Sequence, residues 1–303
     1  MKYKQYAIDE KTSPLFEELP LPTIADVEAA IKQIKFQGLQ APVWTEHKAK
    51  LIALYLKYFV YVTKHGTYID GFSGPQEPDM PHSWAAKLVL AGRPAWLRHF
   101  FLCELDQDKA EALRQLAHEE SGVAKRSIQI LAGDFNVQVD EILGSGTITE
   151  REATFALLDQ RTFECHWSSV EKLARHKKGS KIELFYFLAV KWLHRALGGI
   201  GDTGAADVRA WWGRDDWSSL RGVGQDALRD LMRDRFLDEL GYKYAYAWPI
   251  YQRSGANGAV MYYMIHATDN DDAPKLMYRA YRRAVADVPA YEQLDLGLDD
   301  KHE

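Results

Sequence analysis

The sequence predicts an α/β protein: a mainly parallel sheet that ends in an antiparallel hairpin, with a helical insertion between strands five and six. Three observations predict it. Four short apolar runs, at residues 68–70, 98–104, 127–131 and 153–158, each deliver an acid at or just past their end, and the spacing between them fits repeated strand–helix units. A fifth run, 182–188, reads as a parallel strand buried on both faces. The last two runs, 242–250 and 258–267, are joined by residues 252–257 and pair as a hairpin.

In chain order, residues 1–40 read as a leader, broken early by Pro14, Pro20 and Pro22. Residues 23–34 form a helix with Ile24, Val27, Ile31 and Ile34 on one face. Thr45 is the predicted N-cap of a long helix reaching Tyr61, and Ser83 that of a helix over 84–90. Asp106 caps a helix over 109–117, with Ala110, Leu113 and Ala117 along its inner face. A helix at 168–174 precedes the fifth strand. Residues 189–240 break the repeat: they hold Trp192, Trp211, Trp212 and Trp217, a turn at 198–201 and a helix at 225–240. Pro274 sits in the first turn of a last helix ending near Ala286. Three units follow: the leader, an α/β domain over 41–290 containing the insertion 189–240, and an acidic tail from 291 to 303.

The strand ends carry the chemistry. Asp70-Gly71-Phe72-Ser73-Gly74 turns sharply after the first strand, and its two glycines let a ligand approach the backbone. Glu104, about thirty positions beyond that loop, stands where a strand-end carboxylate accepts from the vicinal hydroxyls of a ribose. Asp134 supplies an acceptor for an adenine amino group and Phe135 a ring to pack on the purine. Asp159, Gln160 and Arg161 close the fourth strand, and His166 follows seven positions later. Each acid also has a plainer reading as a helix cap, Asp134 above all. No Gly-x-x-x-x-Gly-Lys-Ser/Thr is present, and the histidines show no metal-ligand spacing, so no metal site is expected.

This order resembles that of class I S-adenosylmethionine-dependent methyltransferases. The wording is closer to the three-Cys-motif partner protein family, TcmP, in Trp44-Thr45-Glu46-His47-Lys48, Tyr68 through Pro75, Cys103-Glu104-Leu105-Asp106, Gly133-Asp134-Phe135-Asn136 and Ile265-His266-Ala267-Thr268. The resemblance implies a Rossmann-like methyltransferase sheet, whose closing antiparallel strand a dinucleotide dehydrogenase lacks. It also implies S-adenosylmethionine as cofactor, held by Asp70, Gly71, Phe72, Ser73, Gly74, Glu104, Asp134 and Phe135. Asp159, Gln160 and Arg161 would then face the methyl group, and a bacterial three-cysteine-motif protein of radical type would be the partner. Two departures stand out. The glycine loop has the Asp-x-Phe-x-Gly form of cytosine-C5 DNA methyltransferases, and Asp159-Gln160 stands where an Asp-Pro pair is expected.

Composition bounds the rest. With 303 residues, 47% hydrophobic and 27% charged, the chain can bury a sizeable core. A net charge of −5 does not indicate nucleic acid, although the tail holds most of that charge and two basic runs, 175–181 and 279–283, lie elsewhere. No apolar run is long enough for a membrane span, the start leads into no secretory h-region, and two cysteines exclude a disulfide framework. These point to a cytoplasmic protein. Arg209, Trp211, Trp212 and Arg214 suit stacking on a planar substrate, or packing of the insertion.

Overall fold

The computed structural model describes residues 21–33, 48–75, 83–123, 125–201, 204–251 and 260–285. Thr45 and its expected cap, the loop after Pro75, the connection at 252–257, most of the leader and the acidic tail lie outside the described residues.

Seven strands form one sheet: β1 (Gly66–Asp70), β2 (Leu97–Glu104), β3 (Ser127–Ala132), β4 (Thr154–Leu158), β5 (Glu183–Leu188), β6 (Tyr244–Tyr251) and β7 (Val260–Thr268). Their spatial order is β3-β2-β1-β4-β5-β7-β6. The first five run parallel, and β7 inserts antiparallel between β5 and β6. That order, with one reversed strand next to the edge, is the Rossmann-like methyltransferase sheet. The chain reverses direction between β1 and the β4 side, so β1 and β4 flank the switch point where an α/β sheet opens a crevice.

Central strands are dictated by their composition. Every residue of β1, β4 and β5 is buried, which matches runs with apolar side chains on both faces. One face is covered by α1 (Ile24–Gln33), α2 (Lys48–Thr63), α3 (Ala85–Leu90) and α10 (Ala273–Val285), and α4 (Gln107–Glu119) adds Leu113 and Leu116 there. The other is covered by α5 (Phe135–Gly144), α6 (Trp167–Arg175), α7 (Val190–Gly199), α8 (Ala205–Trp212) and α9 (Gln225–Asp238). Helices α7 to α9, with a 3-10 turn at Asp215–Leu220, are the insertion between β5 and β6.

Several local expectations shift. Asp106 caps α4 through Asp108 and Lys109 N–H, as its spacing implies, but α3 begins at Ala85 with Trp84 in the N-cap position and no side-chain cap, so Ser83 does not fill that role. Gly198 and Gly199 continue α7, and the turn begins only at Ile200. Two cations of the basic run at 175–181 are spent internally, while Arg175 and Lys178 are exposed. Lys177 is buried and donates to the Glu152 carbonyl at 2.6 Å, and Lys181 pairs with Asp269 at 3.2 Å. Among the described residues no helix is long and apolar enough to cross a membrane.

Candidate functional site

The carboxyl ends of β1 to β4 open on a cavity of about 600 Å³. Gly71, Phe72 and Gly74 line it from the β1 loop, Glu104 and Leu105 from the end of β2, Asp134 and Phe135 from the start of α5, and Asp159, Arg161 to Glu164 and His166 from the loop after β4. Asp207 of α8 closes it from the insertion. Its acids are Glu104, Asp106, Asp134, Asp159, Glu164 and Asp207, against the cations Lys109 and Arg161. The cavity is therefore strongly electronegative.

Glu104 is fixed by the loop it faces. Its Oε2 accepts from Gly74 N–H at 2.8 Å and its Oε1 from Asp106 N–H at 3.0 Å. A Cβ at residue 74 would fall on that carboxylate, so glycine is required there by close approach. Two backbone donors hold the head group in one orientation and leave each oxygen a further lone pair for a ligand hydroxyl.

Asp134 does cap α5, with Oδ1 accepting from Asn136 N–H at 2.9 Å and from Asn136 Nδ2 at 2.8 Å. It remains exposed and lines the cavity, so cap and acceptor are one residue. Phe135 is 2% exposed, beneath Gly71 and 5.8 Å from the Phe72 ring. Its ring belongs to the core more than to an open stacking surface. Asn136 ties the α5 start to the loop after β4: its Nδ2 donates to the Glu164 carbonyl at 2.8 Å, and its Oδ1 accepts from His166 N–H at 2.8 Å and the Ser169 hydroxyl at 2.9 Å.

The remaining sequence candidates divide. Asp70 ends β1 but is 1% exposed and does not line the main cavity. Its Oδ2 accepts from the Tyr68 hydroxyl at 2.8 Å and its Oδ1 from Phe72 N–H at 3.1 Å. Burial raises its carboxyl to about 7, against those two hydrogen bonds, with the charges of Asp159 and Glu104 adding to the rise. Asp70 instead shares a narrow recess behind the loop with Lys48, Ser73 and Asp159. Ser73 is buried and donates to the Cys103 carbonyl at 2.8 Å.

After β4, Asp159 reaches the cavity while both oxygens hold Lys48 Nζ, at 2.7 and 2.6 Å. Lys48 is itself buried, 4.8 Å from the Phe187 ring centre and 5.0 Å from that of Tyr262. Gln160 does not join the site. It is 1% exposed and faces inward, accepting from Cys165 N–H at 3.0 Å. Arg161 is exposed on the cavity wall, its N–H donating to Glu164 at 2.8 Å, and His166 lines the same wall.

Sequence reasoning missed three contributors. Lys48 lay within a recognised motif but carried no assigned role, because its partner is 111 residues away. Leu105, 69% exposed on the cavity wall, shows in sequence only as the residue after a strand-end acid. Asp207 gave no signal, since the insertion has no repeat to place it. Arg209, Trp211, Trp212 and Arg214 are not a stacking surface: Trp211 is fully buried and donates to the Tyr186 hydroxyl at 2.8 Å, and Arg214 pairs with Glu239 at 2.7 Å. No group of three or more metal-ligating side chains is placed to hold an ion among the described residues.

No protein-family model and no curated protein matches the chain. Solved structures resemble it distantly. Cofactor-bound Rv0187 from MTB is 14% identical with a TM-score of 0.45, over 81% of this chain and 89% of that one. M. jannaschii TYW2 in complex with AdoMet is 9% identical with a TM-score of 0.39, over 73% and 75%. A methyltransferase from Geobacter sulfurreducens is 11% identical with a TM-score of 0.38, over 82% and 91%. The strand order and the reversed strand define the fold without them.

Proposed function

We propose that the protein binds S-adenosylmethionine in this cavity and transfers its methyl group to a substrate entering beside α8. The observation that carries the reading is the electronegative lining together with the fixed Glu104. S-adenosylmethionine carries a sulfonium and an ammonium, and six acids against two cations favour such a ligand over any nucleotide bearing phosphates. The donor set fits the rest of it. Glu104 offers lone pairs to a ribose diol, Asp134 offers an oxygen to an adenine amino group, and Asp70 lies within the recess where the amino-acid end would reach it, directly or through water.

When bound, the cofactor supplies an electrophilic methyl on sulfur. The chain's part is alignment and exclusion of water. Lys48 holds Asp159 at one orientation beside the cavity. Arg161 and His166 are the groups on that wall able to hold a substrate or accept its proton.

A second reading has its own support. Gln160 is turned into the core and Asp159 is held on both oxygens, which leaves that wall with less obvious catalytic equipment than a methyltransferase needs. A cofactor-binding partner protein, acting with a three-cysteine-motif protein as the sequence resemblance implies, fits those two facts.

Equilibrium dialysis against S-adenosylmethionine and against NAD tests the binding. Retention of the first and not the second is expected; retention of NAD alone would overturn the assignment. Incubation of cell extract with methyl-labelled cofactor then separates the two readings. Label transfer that drops with Asp159→Ala supports the enzyme, whereas cofactor binding without transfer supports the partner.

A further inference from the structure

One side chain joins the Asp134 side of the cavity to the wall beyond β4. Asn136, in the first turn of α5, spends its whole amide on segments on either side of the opening. Nδ2 donates to Asp134 Oδ1 and to the Glu164 carbonyl, each at 2.8 Å. Oδ1 accepts from His166 N–H at 2.8 Å and from the Ser169 hydroxyl of α6 at 2.9 Å. A carboxamide has two N–H donors and two acceptor lone pairs, so every position is filled. Aspartate at this position would keep the acceptors and lose both donors.

The loop that Asn136 grips has few other holds. Residues 160–165 make no backbone–backbone hydrogen bond among the described residues. Two side chains bond within the loop, Gln160 to Cys165 N–H at 3.0 Å and Glu164 to Arg161 N–H at 2.8 Å. From outside, the Phe187 carbonyl accepts from Gln160 Nε2 at 3.5 Å, and the Trp211 ring lies 5.3 Å from that of Phe163. Those two holds reach β5 and the insertion. The hold by Asn136 is the one that also bonds Asp134, and the groups it places, Glu164 and His166, line the cavity.

We propose that Asn136 is a positioning residue that couples the two halves of the site, so that a ligand seated on Asp134 orders the loop 160–166. This rests on the S-adenosylmethionine binding proposed above. An adenine amino group donating to Asp134 fixes the carboxylate to which Asn136 is bonded. Asn136 passes that restraint to the Glu164 carbonyl and to His166 N–H, and with them to the wall that faces the methyl acceptor. The coupling is reciprocal: an acceptor held by the ordered loop tightens the cofactor in turn, and the two ligands bind cooperatively.

Amide hydrogen exchange over 160–166, in the full chain with and without saturating S-adenosylmethionine, tests it, and calorimetry on the same samples reports whether the cofactor is bound. In the wild type the cofactor should slow exchange of that segment about tenfold, within the range of ordinary coupling between sites. Asn136→Asp keeps the acceptor for His166 and Ser169 and cuts the links to Asp134 and the Glu164 carbonyl. It should bind the cofactor and show no such slowing, and Asn136→Ala should do the same where the first variant does not fold. Ser169→Ala loses one bond on the α6 side only and should behave as the wild type. An Asn136 that merely braces the fold would alter exchange in the free protein and leave the cofactor-dependent difference intact. That result overturns the proposal, as does bound cofactor without slowing in the wild type. A folded Asn136 variant that no longer binds the cofactor also overturns it, since Asn136 would then belong to the cofactor site itself. Absence of binding by the wild type overturns the proposed function first, and the coupling with it.

Discussion

A single buried carboxyl sets the pH behaviour expected of the site. Asp70 titrates at about 7 in the fold, above an ordinary value of about 3.9. Between those two values the folded protein keeps a proton that the unfolded chain has released, so stability falls as pH rises from 4 to 7. Asp70→Asn should remove that slope, and the difference between the two melting curves against pH checks it. A cationic ligand favours the ionised form. Affinity for S-adenosylmethionine should therefore rise through pH 7 in the wild type and stay flat in Asp70→Asn; equal slopes would show that Asp70 does not sense the ligand. Gly74 makes a second claim at this scale. Gly74→Ala puts a methyl on the Glu104 carboxylate and should abolish cofactor retention in dialysis while the protein still folds. The sequence showed Asp70, Gly74 and Glu104 because strand ends and glycines are local signals. It did not show that Asp70 lies behind the loop, or that Gln160 faces inward, because side-chain direction after a strand is decided by packing.

Among the elements, one buried cation ties the helices of the insertion to α6. Arg235 of α9 is 5% exposed, its Cζ lying 3.7 Å from the Trp167 ring centre and 4.3 Å from that of Trp212. It donates to Glu239 through Nε and Nη2, at 2.6 and 2.9 Å, and to the Trp212 carbonyl at 2.6 Å. One residue thus joins α6, α8 and α9. Arg235→Ala removes the pair and both ring contacts together and should cost about 3 kcal/mol, read from chemical denaturation. Gly213, at φ +73°, ends α8 against the Trp167 side chain and tolerates no Cβ. The helical character of the insertion and its last helix were legible in sequence, whereas α7 and α8 were not placed. Their tryptophans allowed two readings, since a Trp that stacks on a ligand and a Trp that fills a core look alike in sequence. Burial of Trp211 and Trp212 decides for the core.

For the whole molecule, the parallel run and the closing hairpin were legible in sequence, and together they leave few alternatives for the order of the strands. The insertion's place was legible too, but not its integration: Trp211 reaches Tyr186 of β5, and Val208, Trp211 and Met232 share a core with Ile69 and Leu184. Deleting residues 205–220 should therefore unfold the protein rather than release a lid, and a cooperative wild-type-like melt of that deletion would contradict it. Asp207→Ala is the gentler probe of α8 at the cavity. The proposed function depends most on the acids at the ends of β1 to β3 holding the cofactor. Calorimetric titration of S-adenosylmethionine into the wild type and Glu104→Ala measures it directly. The wild type should bind, with an affinity at least about tenfold above that of Glu104→Ala, since a hydrogen bond to a charged acceptor contributes about 1.5–3 kcal/mol. Equal affinity in the two proteins would contradict the placement of the ribose at β2, and no binding by either would contradict the function itself.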